Sequence, residues 1–305
     1  MTEPVSGSGP RGKNAFIDAD VAVGAALPTH TNSYDVKDLA LYGLAVGAGR
    51  DPLDKAGLRF VFEQSSGFQA LPTFGVIPAI NAFMKMLLED QRPPGLHYGL
   101  DRVLHGEQYT ELLRPLPTSA TLEHRGRVLD VQDKGKHAVV VYGYVSHDAS
   151  TGEPLVRNEV STLIRGAGGF APQRTSTPER HVPPDRAPDA VVEERTEPNQ
   201  ALLYRLCGDW NPLHADPDFA QQVGYPRPIL HGLCTFGFIG RQVVQTFADH
   251  DASAVASIRA RFSDVVFPGE TLVTELWREG RTITVRTSSK ERGKVVVSNA
   301  AVVLR

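Results

Sequence analysis

The chain has 305 residues, 41% of them hydrophobic and 22% charged, with a formal net charge of −3. That length and composition fit one large folded domain or two ordinary ones, and they exclude a disordered polymer. The slight acidic excess argues against a nucleic-acid binder. The two cysteines, Cys207 and Cys234, make neither a disulfide framework nor a zinc cluster, and no apolar run reaches bilayer length.

Residues 1–30 carry Gly, Ser and Pro without sustained periodicity and read as a loosely held arm. The first residues lack the apolar core of a signal peptide, and the closing AVVLR is no peroxisomal tripeptide, so the expected compartment is the cytoplasm. From Tyr34 to Gly47 apolar residues recur at helical spacing (Leu39, Tyr42, Leu44, Val46). Phe60 to Glu63 reads as a short strand, and Phe74 to Leu88 as a helix with Ile77, Ile80, Phe83 and Leu87 on one face. Three strand-like runs follow: Thr121 to Val131, His137 to Val145 and Leu155 to Ile164, separated by turn-forming DKGK and DASTGEP. Together they predict an antiparallel meander. Gly166 to Asn199 is Gly-, Pro- and Arg-rich and reads as a linker. Beyond it come a helix from Leu233 to Phe247 and four strands: Ser257–Phe262, Thr271–Trp277, Thr282–Ser288 and Val295–Leu304.

The stretch Tyr204–Ala220, YRLCGDWNPLHADPDFA, gathers an acid, a carboxamide and an imidazole within six positions. Asn211 before Pro212 is a good helix start, since the Asn side chain accepts from an orphan N–H and Pro has none to lose. That places Asp209 on the approach and His214 in the first turn. Asp216-Pro217 repeats the signature, and Gly224 offers a stop. The whole is a rigid mount for three polar side chains. No second His stands at ligand spacing and no carboxylates cluster, so no metal is expected.

The two halves of the chain echo each other in order. Leu41–Leu44 parallels Leu203–Leu206, Leu71–Ile77 parallels Leu233–Ile239, Leu104–Glu107 parallels Phe267–Glu270, and Val156–Asn158 parallels Val297–Asn299. Each half is a helix followed by antiparallel strands, which describes a hot-dog module. Opposite Asp209, Asn211 and His214 the first half offers Gly47, Gly49 and Pro52, so one active site per chain is expected.

Tyr204, Cys207, Gly208, Asp209, Asn211, Pro212, Leu213, His214 and Ala220 match, without departure, a signature that resembles that of the hydratase 2 family, the MaoC-like R-specific enoyl-CoA hydratases. DPLDKAGLRFVFEQSSGFQALPTFGVI and LHGEQYTELLRPLP in the first half extend the resemblance over nearly the whole chain. It implies an α+β double hot-dog fold, with a non-catalytic module (31–165) shaping an acyl-tail pocket and a catalytic module (200–305) joined by the 166–199 linker. It also implies R stereochemistry and an N–H of Gly232 serving the thioester oxygen. In that chemistry Asp209 orients and deprotonates water, His214 holds the same water and shares in proton delivery, and Asn211 fixes both. His231 is expected to fix the turn before the helix, with a role as second acid as the other reading. Matching strings carry over His105, Gly106, Lys134, Pro212, Leu213 and Phe262 as acyl-CoA contacts, with Met84, Met86 and Phe83 near the tail. No cofactor is expected beyond the coenzyme A of the substrate, and pairing of two chains is expected by the same resemblance. A dehydratase working on acyl-carrier-protein thioesters stands as the alternative. A non-catalytic acyl-CoA-binding protein and a hot-dog thioesterase rank below it, because the acid and the imidazole are both in place.

Overall fold

The computed structural model describes residues 12–171 and 180–305. The first half contains α1 (Ala19–Ala22), β1 (His30–Tyr34), α2 (Val36–Ala45), α3 (Ile77–Leu88), β2 (Val103–Leu112), β3 (Ala120–Asp133), β4 (Ala138–Asp148) and β5 (Pro154–Ile164). The second contains β6 (Ala190–Arg195), α4 (Gln200–Tyr204), α5 (Pro217–Gln222), α6 (Gly232–Phe247), β7 (Val255–Phe262), β8 (Thr271–Glu279), β9 (Thr282–Ser289) and β10 (Lys294–Leu304).

All ten strands make one antiparallel sheet, ordered β1-β3-β4-β5-β2-β7-β10-β9-β8-β6. Counted from either edge inward, the two halves lay down their strands in the same sequence, so the chain carries one design twice. The halves meet where β2 pairs with β7, from Glu107 opposite Arg261 to Glu111 opposite Ser257. Glu107 braces that seam by accepting from Arg259 at 2.6 Å and Arg261 at 3.3 Å.

Helix α6 is buried on all sides from Leu233 to Val244, more than the one apolar face of its sequence calls for. Two glycines let it approach the first half. A Cβ on Gly237 would stand 2.3 Å from Val46, and one on Gly240 would stand 2.4 Å from Thr73. Side chains of α3, α6 and both sheet halves then join one hydrophobic core. No helix among the described residues is long and apolar enough to cross a membrane.

Several expectations need correction. Residues 1–11 of the expected arm lie outside the described residues, but the rest is laid down firmly. Ile17 is fully buried, Asp18 N–H donates to Gly95 and Leu27 N–H donates to Gly126. Of the expected linker, residues 172–179 lie outside the described residues, while Ala190–Arg195 forms edge strand β6 against β8. The expected strand Phe60–Glu63 is not one: Phe60 ends the 3-10 turn Gly57–Phe60, and 61–63 continue as turn and loop. Strand β2 escaped notice because its inward residues are polar: Gln108 and Thr110 are fully buried and both bond to the Asn158 side chain, which donates to the Gly75 carbonyl. The repeat also shifts at one place. Leu104–Glu107 lies within β2, whereas Phe267–Glu270 is the turn that leads into β8.

Candidate active site

The motif loop is built as its sequence dictates. Asn211 Oδ1 accepts from Leu213 N–H at 3.0 Å and caps the 3-10 turn Pro212–His214, with Pro212 as its first residue. Asp209 Oδ1 accepts from Asn211 N–H at 3.2 Å, which turns the carboxylate into the loop. Asp216 caps α5 by accepting from Asp218 and Phe219. Ala220 of that helix packs with Leu213 and Ile229 in a satellite cluster beneath the turn. Just before the acid, Gly208 has φ +128°, and a Cβ there would fall within 2.1 Å of the Asn81 amide on α3. The first half therefore supports the loop from below.

His214 is buried, and its Nδ1 donates to the Ile229 carbonyl at 2.8 Å, which leaves the Nε2 lone pair bare. Burial lowers its pKa, opposed by the nearby Asp209 carboxylate. His231 stacks on it, ring centroids 3.6 Å apart, and its Nε2 donates to the Asp209 carbonyl at 3.2 Å. Asp209, His214 and His231 thus present ligand-type atoms within 4.8 Å of one another, a grouping that spacing along the chain does not reveal. One nitrogen of each ring is spent on a carbonyl, which fixes both tautomers and leaves one lone pair on each ring.

These groups open on a cavity of about 440 Å³ between the two halves. Asp209, Asn211, Leu213, His214, His231 and Gly232 line one wall. Gly232 begins α6, so its N–H precedes the first helical hydrogen bond and points from the positive end of the helix. Among the described residues no protein group accepts from it. A Cβ at this position would sit 3.0 Å from the ring of Phe262, which is why a glycine stands here. From the two strands of the seam come His105 and Gly106 of β2 and Phe262 of β7, with His105 and Phe262 in edge-to-face contact at 5.2 Å. Burial drives the His105 pKa down to about 4. Ile80, Phe83 and Met84 from α3 add an apolar wall.

Three expected contacts stand elsewhere. Pro212 serves the turn and does not line the cavity, and Met86 is buried in the core behind it. Lys134 sits on the β3–β4 turn outside the cavity wall, where burial lowers its pKa and Asp130 raises it, with Arg261 also near. Residues that sequence reading passed over include Tyr225 and Val266, apolar positions with no pattern to mark them.

Residues 32–166 match the model of the MFE-2 hydratase 2 N-terminal domain, and residues 179–300 match that of the MaoC-like domain. The chain is 41% identical to Enoyl-CoA hydratase 2, peroxisomal, of Arabidopsis thaliana, over 92% of this chain and 94% of that one. This chain belongs to the hydratase 2 family of MaoC-like double hot-dog enzymes. It is also 45% identical to Peroxisomal multifunctional enzyme type 2 of Mus musculus, over 97% of its own length but only 40% of that protein. Among solved structures, the MaoC-like dehydratase of Phytophthora capsici matches with TM-score 0.82 and 34% identity, over 94% of this chain and 98% of the other. The family's double module accounts for the mirrored strand order.

Proposed function

We propose that the protein catalyses reversible syn hydration of a trans-2-enoyl-CoA to the (3R)-3-hydroxyacyl-CoA, as a step of fatty-acid or lipid side-chain metabolism. The observation that carries this reading is the convergence, on one cavity, of the Asp209 carboxylate, the bare Nε2 of His214 and the free N–H of Gly232. The first two reach one water from the same side. Its oxygen attacks carbon 3 while its proton passes to the Asp209–His214 pair. Negative charge collects on the thioester oxygen, where the Gly232 N–H at the start of α6 receives it. The pair then returns one proton to carbon 2 on the same face, so water is consumed whole and no redox partner or metal takes part. Asn211 keeps the turn, and with it both side chains, in place. The acyl tail lies against Ile80, Phe83 and Met84, and the coenzyme leaves past His105, Gly106 and Phe262.

The expected partner is a second copy of the chain, supported by Leu202, Leu206 and Trp210, large apolar side chains exposed along α4 and the loop after it; light scattering tests this. A reducing, cytoplasmic setting accords with both thiols being free, and cell fractionation decides it.

The test of the activity is loss of enoyl-thioester absorbance with crotonyl-CoA and 2-decenoyl-CoA. Wild type should consume both, whereas Asp209→Asn and His214→Ala should fall by about 10²- to 10⁴-fold in kcat with folding intact. Full activity in Asp209→Asn would sink the mechanism. An inert wild type on both esters would move the substrate to an acyl-carrier-protein thioester.

A further inference from the structure

We infer that His231 is a positioning residue that fixes the water-activating pair against the oxyanion donor, by a hydrogen bond to the Asp209 backbone and a stack on His214. The inference rests on the hydratase reading above.

Asp209 and His214 belong to the motif loop, whereas Gly232 belongs to α6, and no covalent constraint sets the distance between them. His231 immediately precedes Gly232 in the chain, and its side chain reaches back to both loop residues. Its Nε2 donates to the Asp209 carbonyl at 3.2 Å. One ring face lies against His214 at 3.6 Å, and the ring of Tyr204 lies at 4.9 Å. Only 1% of the residue is exposed. One side chain therefore ties the base, the imidazole and the backbone donor into a single unit.

The same geometry dictates the tautomer. A carbonyl only accepts, so Nε2 carries the proton and Nδ1 keeps the lone pair. That Nδ1 is buried and has no partner among the described residues, so a second proton on the ring would have nothing to bond. The groups facing it are Asp209 and His214 on the loop and Tyr204 and Arg205 at the end of α4, with His105 on the opposite strand of the cavity. Burial, His214 and Arg205 all hold the ring neutral, opposed by its bond to the Asp209 backbone. His214 has the opposite tautomer, so two neutral rings stack with only one of them, His214, presenting its lone pair to a water held beside Asp209.

A residue with this role acts on the rate more than on affinity, because the residues assigned to the ester, Ile80, Phe83 and Met84 for the tail and His105, Gly106 and Phe262 for the coenzyme, are left in place. Two substitutions separate the bond from the ring. His231→Phe keeps an aromatic ring and loses the donor; His231→Gln keeps a donor near the Nε2 position and loses the ring. With 2-decenoyl-CoA, His231→Phe should lose about 10- to 100-fold in kcat with little change in KM, the scale of a small misplacement of reacting groups. His231→Gln should return to within about fivefold of wild type. If His231→Gln is as slow as His231→Phe, both folded, the bond is not what positions the pair. A rise in KM that accounts for the whole loss would make His231 a substrate contact and overturn the inference. Should His231→Phe not fold, His231→Gln alone decides on the same threshold.

A second readout needs no turnover. In ¹⁵N-histidine-labelled wild type, His231 should remain neutral with its proton on Nε2 between about pH 5.5 and 8. A ring that titrates in that range, or carries its proton on Nδ1, overturns the assignment. Wild-type turnover and an inactive Asp209→Asn in the same assay keep failure of the hydratase reading distinct from failure of this one.

Discussion

At Gly232 a missing side chain matters as much as any present one. Alanine there would suit a helix but would push a methyl to 3.0 Å from Phe262, beside the N–H proposed above to receive the thioester oxygen. Gly232→Ala should therefore lower kcat/KM by about tenfold or more while thermal stability stays near wild type. Adding Phe262→Leu should restore part of the loss, since the leucine can retreat from the methyl. Steady-state kinetics of the single and double variants check this, and no recovery would show that the ring is not the obstacle. At this scale the sequence was informative wherever neighbours along the chain do the work. Asn211 caps, Pro212 opens the turn and Asp209 folds back on the Asn211 N–H, all within four residues. The chain gave no such signal for the approach of His231 to His214, which are seventeen positions apart and meet only because α6 starts beside the motif loop.

Among the elements, α6 packs closely against the first half through its glycines. Gly240 is in contact with Thr73 of the first half, and a Cβ there would come 2.4 Å from its methyl. Gly240→Ala should destabilise the protein by about 1–3 kcal/mol through overpacking, read as a lower urea midpoint. Thr73→Ser removes the clashing methyl and should return most of that stability in the double variant. The long helices and the β3–β4–β5 meander were legible because their inward positions are apolar at a regular period. Strands β1, β2 and β6 were not. β2 turns Gln108 and Thr110 inward and satisfies them through Asn158. β1 and β6 lie at the two edges of the sheet, where exposure alternates but the residues, HTNSY and AVVEER, do not alternate apolar with polar.

As a whole molecule, the chain joins its two modules through the β2–β7 ladder and the single core around α3 and α6. Unfolding should accordingly be one cooperative transition. Both tryptophans, Trp210 and Trp277, lie in the second half, so coincident urea curves from tryptophan fluorescence and far-UV circular dichroism would test it; separated midpoints would show the modules melting apart. Acid should weaken the fold. Burial holds the pKa values of His105 and His124 down to about 4, so as pH falls below about 6.5 the unfolded chain takes up those protons first. Each site then costs up to about 1.4 kcal/mol per pH unit until its folded pKa is reached. The urea midpoint should be lower at pH 5 than at pH 7.5, and His124→Gln should narrow the gap. The second module also constrains the place in the first that corresponds to Asp209 in the repeat. Gly47 has φ +82°, and a Cβ on it would lie 2.8 Å from Glu194, whose carboxylate is already paired with the buried Arg241. An acid placed at Gly47 would meet that carboxylate head-on. On the hydratase reading proposed above, the chain thus has room for one acid–imidazole centre, and the first module is left to shape the pocket beside it.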